Sequence, residues 1–210
     1  MSSGYTTDRQ AAATTPRFRI GIEADYCYSS RMKTYQHQTV FSGPIVDIEQ
    51  FDVEIGTKGR HTFQVIRHPG GAGVLPVHAD GSVTLIRQLR PAVATHLLEI
   101  PAGRLAPGED PELCAGRELL EETGLHGAEL ISLGKILSSP GVFDEVIHLF
   151  AAVSPCAGVA QPEDDEEIET VKLALSDALQ MASDGRIEDA KTVAALFRWA
   201  HRCCQGNCGA

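Results

Sequence analysis

Apolar and polar residues alternate along the chain from about residue 39. Phe51-Asp52-Val53-Glu54-Ile55 alternates with a period of two, which is typical of a strand with one buried face. A turn over residues 56–59 separates this run from a second apolar run that ends at Ile66. The pattern predicts a small antiparallel β subdomain over residues 39–67. It follows an extension at residues 1–38 that we expect to be partly disordered.

After residue 68, runs with strand character are mixed with runs of helical periodicity. The predicted strands are residues 73–77, 83–89, 96–100, 129–137, 146–153 and 168–175. The predicted helices are residues 110–123, 176–183 and about 189–201. This mixture over one core is typical of an α/β fold, specifically an α/β/α sandwich around a mixed sheet. We expect one domain at residues 68–200 and a cysteine-containing tail at 201–210.

The charge of the chain excludes one class of function. A formal net charge of −10 argues against a non-specific nucleic-acid binder, which needs a basic face to displace counterions from phosphates. No apolar run approaches the roughly 20 residues of a membrane span, and the first residues lack the apolar stretch of a signal peptide. We therefore expect a cytoplasmic protein with no nucleic-acid and no membrane partner. The six cysteines at scattered spacings predict reduced thiols.

The predicted helix at residues 110–123 has clear start and stop signals. Asp110 can cap its first amides, Pro111 suits the first helical position and Gly124 can end it in a left-handed conformation. On a helical wheel one face carries Leu113, Gly116, Leu119, Leu120 and Thr123, while Glu118, Glu121 and Glu122 fall within an arc of about 100° on the opposite side.

This carboxylate cluster is locally unfavourable. Like charges at these spacings cost roughly 0.2–0.5 kcal/mol per pair. Glu121 and Glu122 also lie in the last turn, at the negative end of the helix dipole. Converging carboxylates supply the oxygen ligands that hard cations require, and violations of local rules tend to mark functional sites. The cluster therefore predicts divalent-metal binding, with a solvated acidic face as the alternative.

The spacing around this helix resembles the Nudix box, G-x5-E-x7-R-E-U-x-E-E-x-G-U, in which U is aliphatic. Every defined position matches, from Gly103 through Glu109 and the Arg117-Glu118 pair to Leu125. The resemblance covers roughly residues 39–199. It implies the Nudix-type α/β/α fold and metal-dependent hydrolysis of a nucleoside diphosphate substrate. An acidic chain can carry out this chemistry because metal ions provide the local positive charge.

The same resemblance implies a role for each matching residue. It makes Glu118, Glu122 and the backbone carbonyl of Ala102 ligands of Mg²⁺ or Mn²⁺, with two or three ions per site. Glu121 is implied as a further ligand or as a catalytic residue. The remaining box positions are implied to support the loop and orient the carboxylates, and they are Gly103, Glu109, Arg117 and Gly124.

Segments outside the box are similar to the ADP-ribose pyrophosphatase branch of this family. They are residues 68–70, 87–90, 98–103, 139–141 and 185–192, and Pro140 follows Leu125 at a spacing of 15 residues, which is typical of that branch. The branch implies hydrolysis of ADP-ribose to AMP and ribose 5-phosphate by a homodimer. It also implies substrate contacts at Arg90, Arg104, Pro140 and Gly141.

The branch places an acidic residue in the loop after Pro140-Gly141, as general base or as ligand of a third metal. Glu145 is our prediction for this residue, and Asp144 is the alternative. Where the branch often carries a glutamate this chain has Gln64, so the base preference stays open. Two other functions also stay open: hydrolysis of another nucleoside diphosphate sugar such as GDP-mannose, and a non-catalytic sensor that binds ADP-ribose.

Overall fold

The computed structural model describes residues 33–161 and 167–208. Its first sheet contains β1 (Thr34–Ser42), β2 (Asp47–Glu54) and β3 (Arg60–Arg67), all antiparallel and in that order. β2 buries Phe51 and Val53, as the alternation predicted. β1 begins before the predicted start at residue 39, and most of the predicted N-terminal extension lies outside the described residues.

The second sheet has seven strands in the described part of the chain. They are β4 (Gly71–Val77), β5 (Ser82–Arg90), β6 (Thr95–Glu99), β7 (Ala102–Arg104), β8 (Glu129–Leu137), β9 (Val146–Val153) and β10 (Ile168–Ala174). The main path runs β10-β5-β4-β9-β8, with β6 paired to β5 and β7 paired to β4. β4 and β9 run parallel whereas the other pairs are antiparallel, so the sheet is mixed as predicted.

Helices cover both faces of this sheet. All seven residues of β4 are buried, as expected for a central strand with both faces covered. Its side chains alternate between two cores. Ala72 and Val74 pack in the core of α1 (Pro111–Thr123), while Leu75 and Val77 pack in the core that contains Trp199. That second core is covered by α2 (Leu175–Ser183) and α3 (Ala190–Cys204), which confirms the α/β/α sandwich.

The C-terminal end departs from two predictions. α3 continues to Cys204, so the predicted boundary at residue 200 falls inside a helix. Cys203 and Cys208 form a disulfide, so the prediction of reduced thiols was wrong for this pair. The turn after α3 brings Cys208 back to the helix end, which the irregular spacing did not indicate. Within the described residues, no helix has both the length and the apolar character needed to cross a membrane.

Candidate functional site

α1 begins and ends at the residues that the sequence indicated. The Asp110 side chain accepts the Glu112 N–H at 2.8 Å, Pro111 is the first helical residue, and Gly124 ends the helix with φ 72°. The residues that share the apolar face of the wheel are not buried alike. Leu113 is 70% and Leu120 43% exposed, whereas Leu119 is 2% exposed.

The buried face of α1 contains two of the three clustered glutamates. Glu118 is 8% and Glu122 2% exposed. Both face the short strand β7, where Ala102 donates its N–H to Oε2 of Glu122 at 3.0 Å. A Cβ built on Gly103 would overlap the Glu118 carboxylate, so only glycine leaves room for it. The structure thus brings Ala102, Gly103, Glu118 and Glu122 together.

Arg117 holds three of the box carboxylates. Its Nη1 donates to Oε1 of Glu118 at 2.7 Å and to Oε2 of Glu121 at 2.9 Å, and its Nε donates to Oε1 of Glu109 at 3.1 Å. The hydrogen bond to Glu109 is the largest cause of a raised pKa of Arg117, and the Arg117 hydrogen bond in turn lowers the pKa of Glu109. One guanidinium thus offsets much of the like-charge repulsion in the cluster.

Oε2 of Glu109 also accepts the Ala106 N–H at 2.8 Å. Glu109 therefore ties the loop after β7 to the helix through Arg117. This contact is consistent with the supporting role that the resemblance implies for both residues.

A cavity of about 490 Å³ opens on one side of β7. Its charged or ionisable lining residues are His68, Arg90, Glu99, Arg104, Glu145, Asp189 and Lys191. A second cavity, of about 630 Å³, contains Arg117 and Glu118 in its lining. Gly103 and Arg104 line both cavities, so β7 is where the box glutamates and the first cavity meet. Glu121 and Glu122 line neither of these two cavities.

Glu145 and Asp144 point to different partners. Glu145 lines the first cavity, its side chain is 18% exposed, and its Oε1 lies 3.3 Å from Nδ1 of His68. Asp144 accepts hydrogen bonds from Nη1 of Arg67 and from the N–H of His68, both at 2.9 Å. The structure therefore places Glu145 at the cavity and Asp144 in a contact with the end of β3.

Pro140 and Gly141 occupy an exposed turn and line neither the first nor the second cavity. The loop that contains them is fixed to β3 by backbone hydrogen bonds. Ile66 donates its N–H to Val142 O at 2.8 Å, and Asp144 donates its N–H to Ile66 O at 3.2 Å. The predicted contact of Pro140 and Gly141 with substrate stays a prediction.

Arg90 lies in the cavity wall, and its contact with substrate stays a prediction, but its nearest partner was not foreseen. It donates two hydrogen bonds to Glu99, a residue that is 1% exposed. Glu99 and Lys191 both line the cavity, and neither was assigned a role from the sequence. A signal was present, because a charged residue interrupts the apolar run Leu97-Leu98-Glu99-Ile100.

The donor set at β7 and α1 suits a hard divalent cation. Among the described residues, no group of three or more His, Cys, Asp or Glu side chains forms a ready-made metal cage. Mg²⁺ does not need one, since it is usually bound by one or two carboxylates together with water and substrate phosphates. Glu118, Glu122 and the Ala102 carbonyl supply only oxygen atoms, and Gly103 leaves the space that the Glu118 carboxylate needs.

Several named proteins are similar to this chain. An ADP-ribose pyrophosphatase of Bacillus subtilis (strain 168) is 35% identical over 166 residues, covering 78% of this chain and 90% of that protein. A methanol dehydrogenase activator of Bacillus methanolicus is 36% identical, with the same coverage of both chains. A GDP-mannose pyrophosphatase of Escherichia coli is 37% identical over 147 residues, or 65% of this chain and 76% of that protein.

The fold also matches a solved structure, described as an ADP compounds hydrolase, with a TM-score of 0.73 at 24% identity. The match covers 84% of this chain and 96% of that one. The profile of the NUDIX domain matches residues 67–196. Together with the complete box on β7 and α1, this match identifies the family. The chain belongs to the Nudix hydrolase family.

Proposed function

We propose that this protein hydrolyses the diphosphate bond of ADP-ribose to AMP and ribose 5-phosphate, using a divalent metal ion. The observation that carries the proposal is the position of β7. It places Ala102 and Gly103 against Glu118 and Glu122 and also lines the cavity that contains Arg90 and Glu145. The similarity to an ADP-ribose pyrophosphatase over 78% of the chain supports ADP-ribose as the substrate.

In this proposal Glu118, Glu122 and the Ala102 carbonyl hold Mg²⁺ or Mn²⁺, and Glu121 is available for a further ion. Two or three ions per site is our expectation. When bound, such ions supply positive charge against the diphosphate oxygens and make water more acidic. Arg117 keeps the carboxylates of Glu118 and Glu121 in place through its hydrogen bonds at 2.7 and 2.9 Å.

Glu145 is proposed as the general base. Its carboxylate lies in the cavity wall and is mostly shielded from solvent, so it can accept a proton from the attacking water. The imidazole of His68 lies beside it, with Nδ1 3.3 Å from Oε1 of Glu145. Arg90 and Arg104 lie along the same wall, where guanidinium groups can donate hydrogen bonds to phosphate oxygens.

A second candidate is a GDP-mannose pyrophosphatase, which the similarity to the Escherichia coli protein favours. The metal site and base would be the same, and the difference would lie in recognition of the base and the sugar. The ADP-ribose branch often carries a glutamate where this chain has Gln64, whose amide has no charge and whose Nε2 donates to Oε1 of Gln50 on β2 at 3.0 Å. Recognition that depends on a glutamate at position 64 is therefore missing here.

We also propose a homodimer. The first sheet exposes large apolar side chains, including Phe41 at 53% and Phe63 at 40%. By register Phe41 and Phe63 lie on opposite faces of this sheet, so each face presents an exposed aromatic ring that association with a second copy would cover. A single monomer mass by light scattering at micromolar concentration would contradict the dimer.

The experiment that tests the substrate assignment compares initial rates on ADP-ribose and GDP-mannose at equal concentration, with excess Mg²⁺ and separately with Mn²⁺. A clear preference for ADP-ribose supports the proposal. Equal or higher rates on GDP-mannose move the assignment to the second candidate. Binding of ADP-ribose without turnover in either metal would indicate a sensor.

A further inference from the structure

Four charged side chains form one connected group at the wall of the first cavity. They are Arg90 at the end of β5, Glu99 at the end of β6, and Asp189 and Lys191 at the start of α3. The Glu99 side chain is 1% exposed and that of Lys191 is 10% exposed. Side chains of these types are almost never buried this far unless they are paired.

Arg90 and Glu99 form a two-pronged ion pair. Nε of Arg90 donates to Oε1 of Glu99 at 2.8 Å, and Nη2 donates to Oε2 at 2.7 Å. A planar guanidinium held at two points cannot rotate freely. The Arg90 side chain is nevertheless 38% exposed and lines the cavity, so the edge that does not face Glu99 is available to a ligand.

Lys191 holds the other side of Glu99. Its Nζ donates to Oε2 of Glu99 and also to Oδ1 of Asp189 at 3.0 Å. Asp189 is fixed in turn because it caps α3, where its Oδ2 accepts the Thr192 N–H at 2.9 Å. Thr192 Oγ1 accepts the Ile100 N–H at 2.8 Å, which joins the start of α3 to the residue after Glu99. The group is therefore anchored to two elements 92 residues apart.

Stability alone does not explain this arrangement. Taking charges out of water costs free energy that the attraction within an ion pair often fails to recover. Replacing a buried ion pair with well-packed apolar residues is therefore often neutral or stabilising. Burial by itself would raise the pKa of Glu99, but the Arg90 hydrogen bond and the charge of Lys191 outweigh burial and lower it. Glu99 is thus kept as an anion between two cations, of which Arg90 is the more exposed.

We propose that Glu99 and Lys191 are positioning residues that orient the Arg90 guanidinium toward a phosphate group of the substrate. The inference rests on the proposed function, in which Arg90 binds the diphosphate. Lys191 is a second counter-ion of Glu99. The Glu99 carboxylate can therefore align Arg90 without being neutralised by Arg90 alone. If Lys191 is removed, Glu99 draws on Arg90 alone, and the guanidinium is less available to the substrate.

The test is the pair of substitutions Lys191→Met and Lys191→Arg in the full-length protein, assayed with ADP-ribose and Mg²⁺. Lys191→Met should raise KM about tenfold with a smaller change in kcat, because the lost interaction serves substrate binding. Lys191→Arg should restore KM, since it restores the cation beside Glu99. Lys172→Met is the matched control, because Lys172 forms an exposed ion pair with Asp80 and should leave KM unchanged.

A double-mutant cycle with Arg90→Ala separates positioning from a purely structural role. If Lys191 acts through Arg90, Lys191→Met should have no further effect on KM in the Arg90→Ala background. An equal increase of KM in both backgrounds would overturn the inference.

Glu99→Gln preserves the side-chain volume and replaces Lys191→Met in this cycle if Lys191→Met fails to fold. It should likewise raise KM only when Arg90 is present. Loss of folding in both variants would assign the group to the fold and also overturn the inference.

The same variants distinguish this inference from the proposed function. If Arg90→Ala raises KM while Lys191→Met and Glu99→Gln do not, the positioning role fails and the proposed function stands. If Arg90→Ala leaves KM unchanged, the proposed contact between Arg90 and the diphosphate fails.

Discussion

The carboxylate of Glu118 occupies the space that a side chain at position 103 would need. Gly103 has no positive φ. Glycine is therefore required at position 103 by the close approach of Glu118 and not by the backbone conformation. The first glycine of the box and the glutamate of its R-E pair are therefore coupled through space.

Gly103→Ala should lower kcat by about 100-fold, because a displacement of a reacting group by about 1 Å has effects on that scale. The added methyl group forces the Glu118 carboxylate away from β7. Steady-state kinetics with ADP-ribose and Mg²⁺ measure the effect. Gly116→Ala on α1 is the control, since a Cβ there meets only Leu130 at 3.9 Å. It should retain activity and stabilise the helix by about 0.5–1 kcal/mol. Equal kinetics for both variants would contradict the coupling.

Glu122→Gln should lower kcat by roughly 100-fold or more, the scale on which a lost electrostatic contact in an active site acts. The amide keeps an oxygen for the Ala102 N–H but loses the charge that a cation requires. The fold should survive, because a like charge next to Glu118 is removed. Thermal unfolding and kcat are measured together, with the exposed Glu112→Gln on the same helix as the control. Near-wild-type activity of Glu122→Gln would show that the metal assignment is wrong.

Glu145→Gln and Asp144→Asn should separate catalysis from loop attachment. Glu145→Gln removes the proposed base and should lower kcat by about 10²- to 10⁴-fold. Asp144→Asn weakens a partly exposed ion pair with Arg67, so it should cost about 1 kcal/mol of stability or less and change kcat far less. Comparison of kcat with the midpoint of urea unfolding for each variant checks this. The reverse pattern would make Asp144 the base.

Cys114 should be inert although it lies within the box. Burial is the main cause that raises its pKa to about 12, and the charges of Glu109 and Glu118 add to it. The thiolate is the reactive form, so its fraction stays negligible until the pH approaches that value. Mass spectrometry after iodoacetamide treatment of the folded protein should show label on the exposed Cys156 and none on Cys114 between pH 7 and pH 9. Labelling of Cys114 that rises across this range would contradict the buried environment.

The sequence predicted the strands of the second sheet well where a clear apolar run ends at a turn. β8 and β9 begin and end where the pattern indicated. β7 was missed because three residues that include Gly103 show no periodicity. The wheel left open which face of α1 packs, because it gives the angles between side chains and not their surroundings. Leu113 faces solvent because Glu118 and Glu122 take the inner positions against β7.

The box residues could be identified from the sequence because they are close together along the chain. The group of Arg90, Glu99 and Lys191 could not, since Glu99 and Lys191 are 92 residues apart and no local pattern joins them. The sequence alone also left open whether Glu145 or Asp144 is the acidic residue of the site. Their contacts differ only because the loop pairs with β3, which directs Asp144 to Arg67 and Glu145 to the cavity.

The most direct test of the central claim is analysis of the products formed from ADP-ribose in the presence of Mg²⁺. We expect AMP and ribose 5-phosphate in equal amounts, with none formed after addition of a chelator and a greatly reduced rate for Glu122→Gln. Unchanged ADP-ribose after incubation of the folded protein with Mg²⁺ and with Mn²⁺ would contradict the claim, whereas the assignment to the Nudix fold would stand.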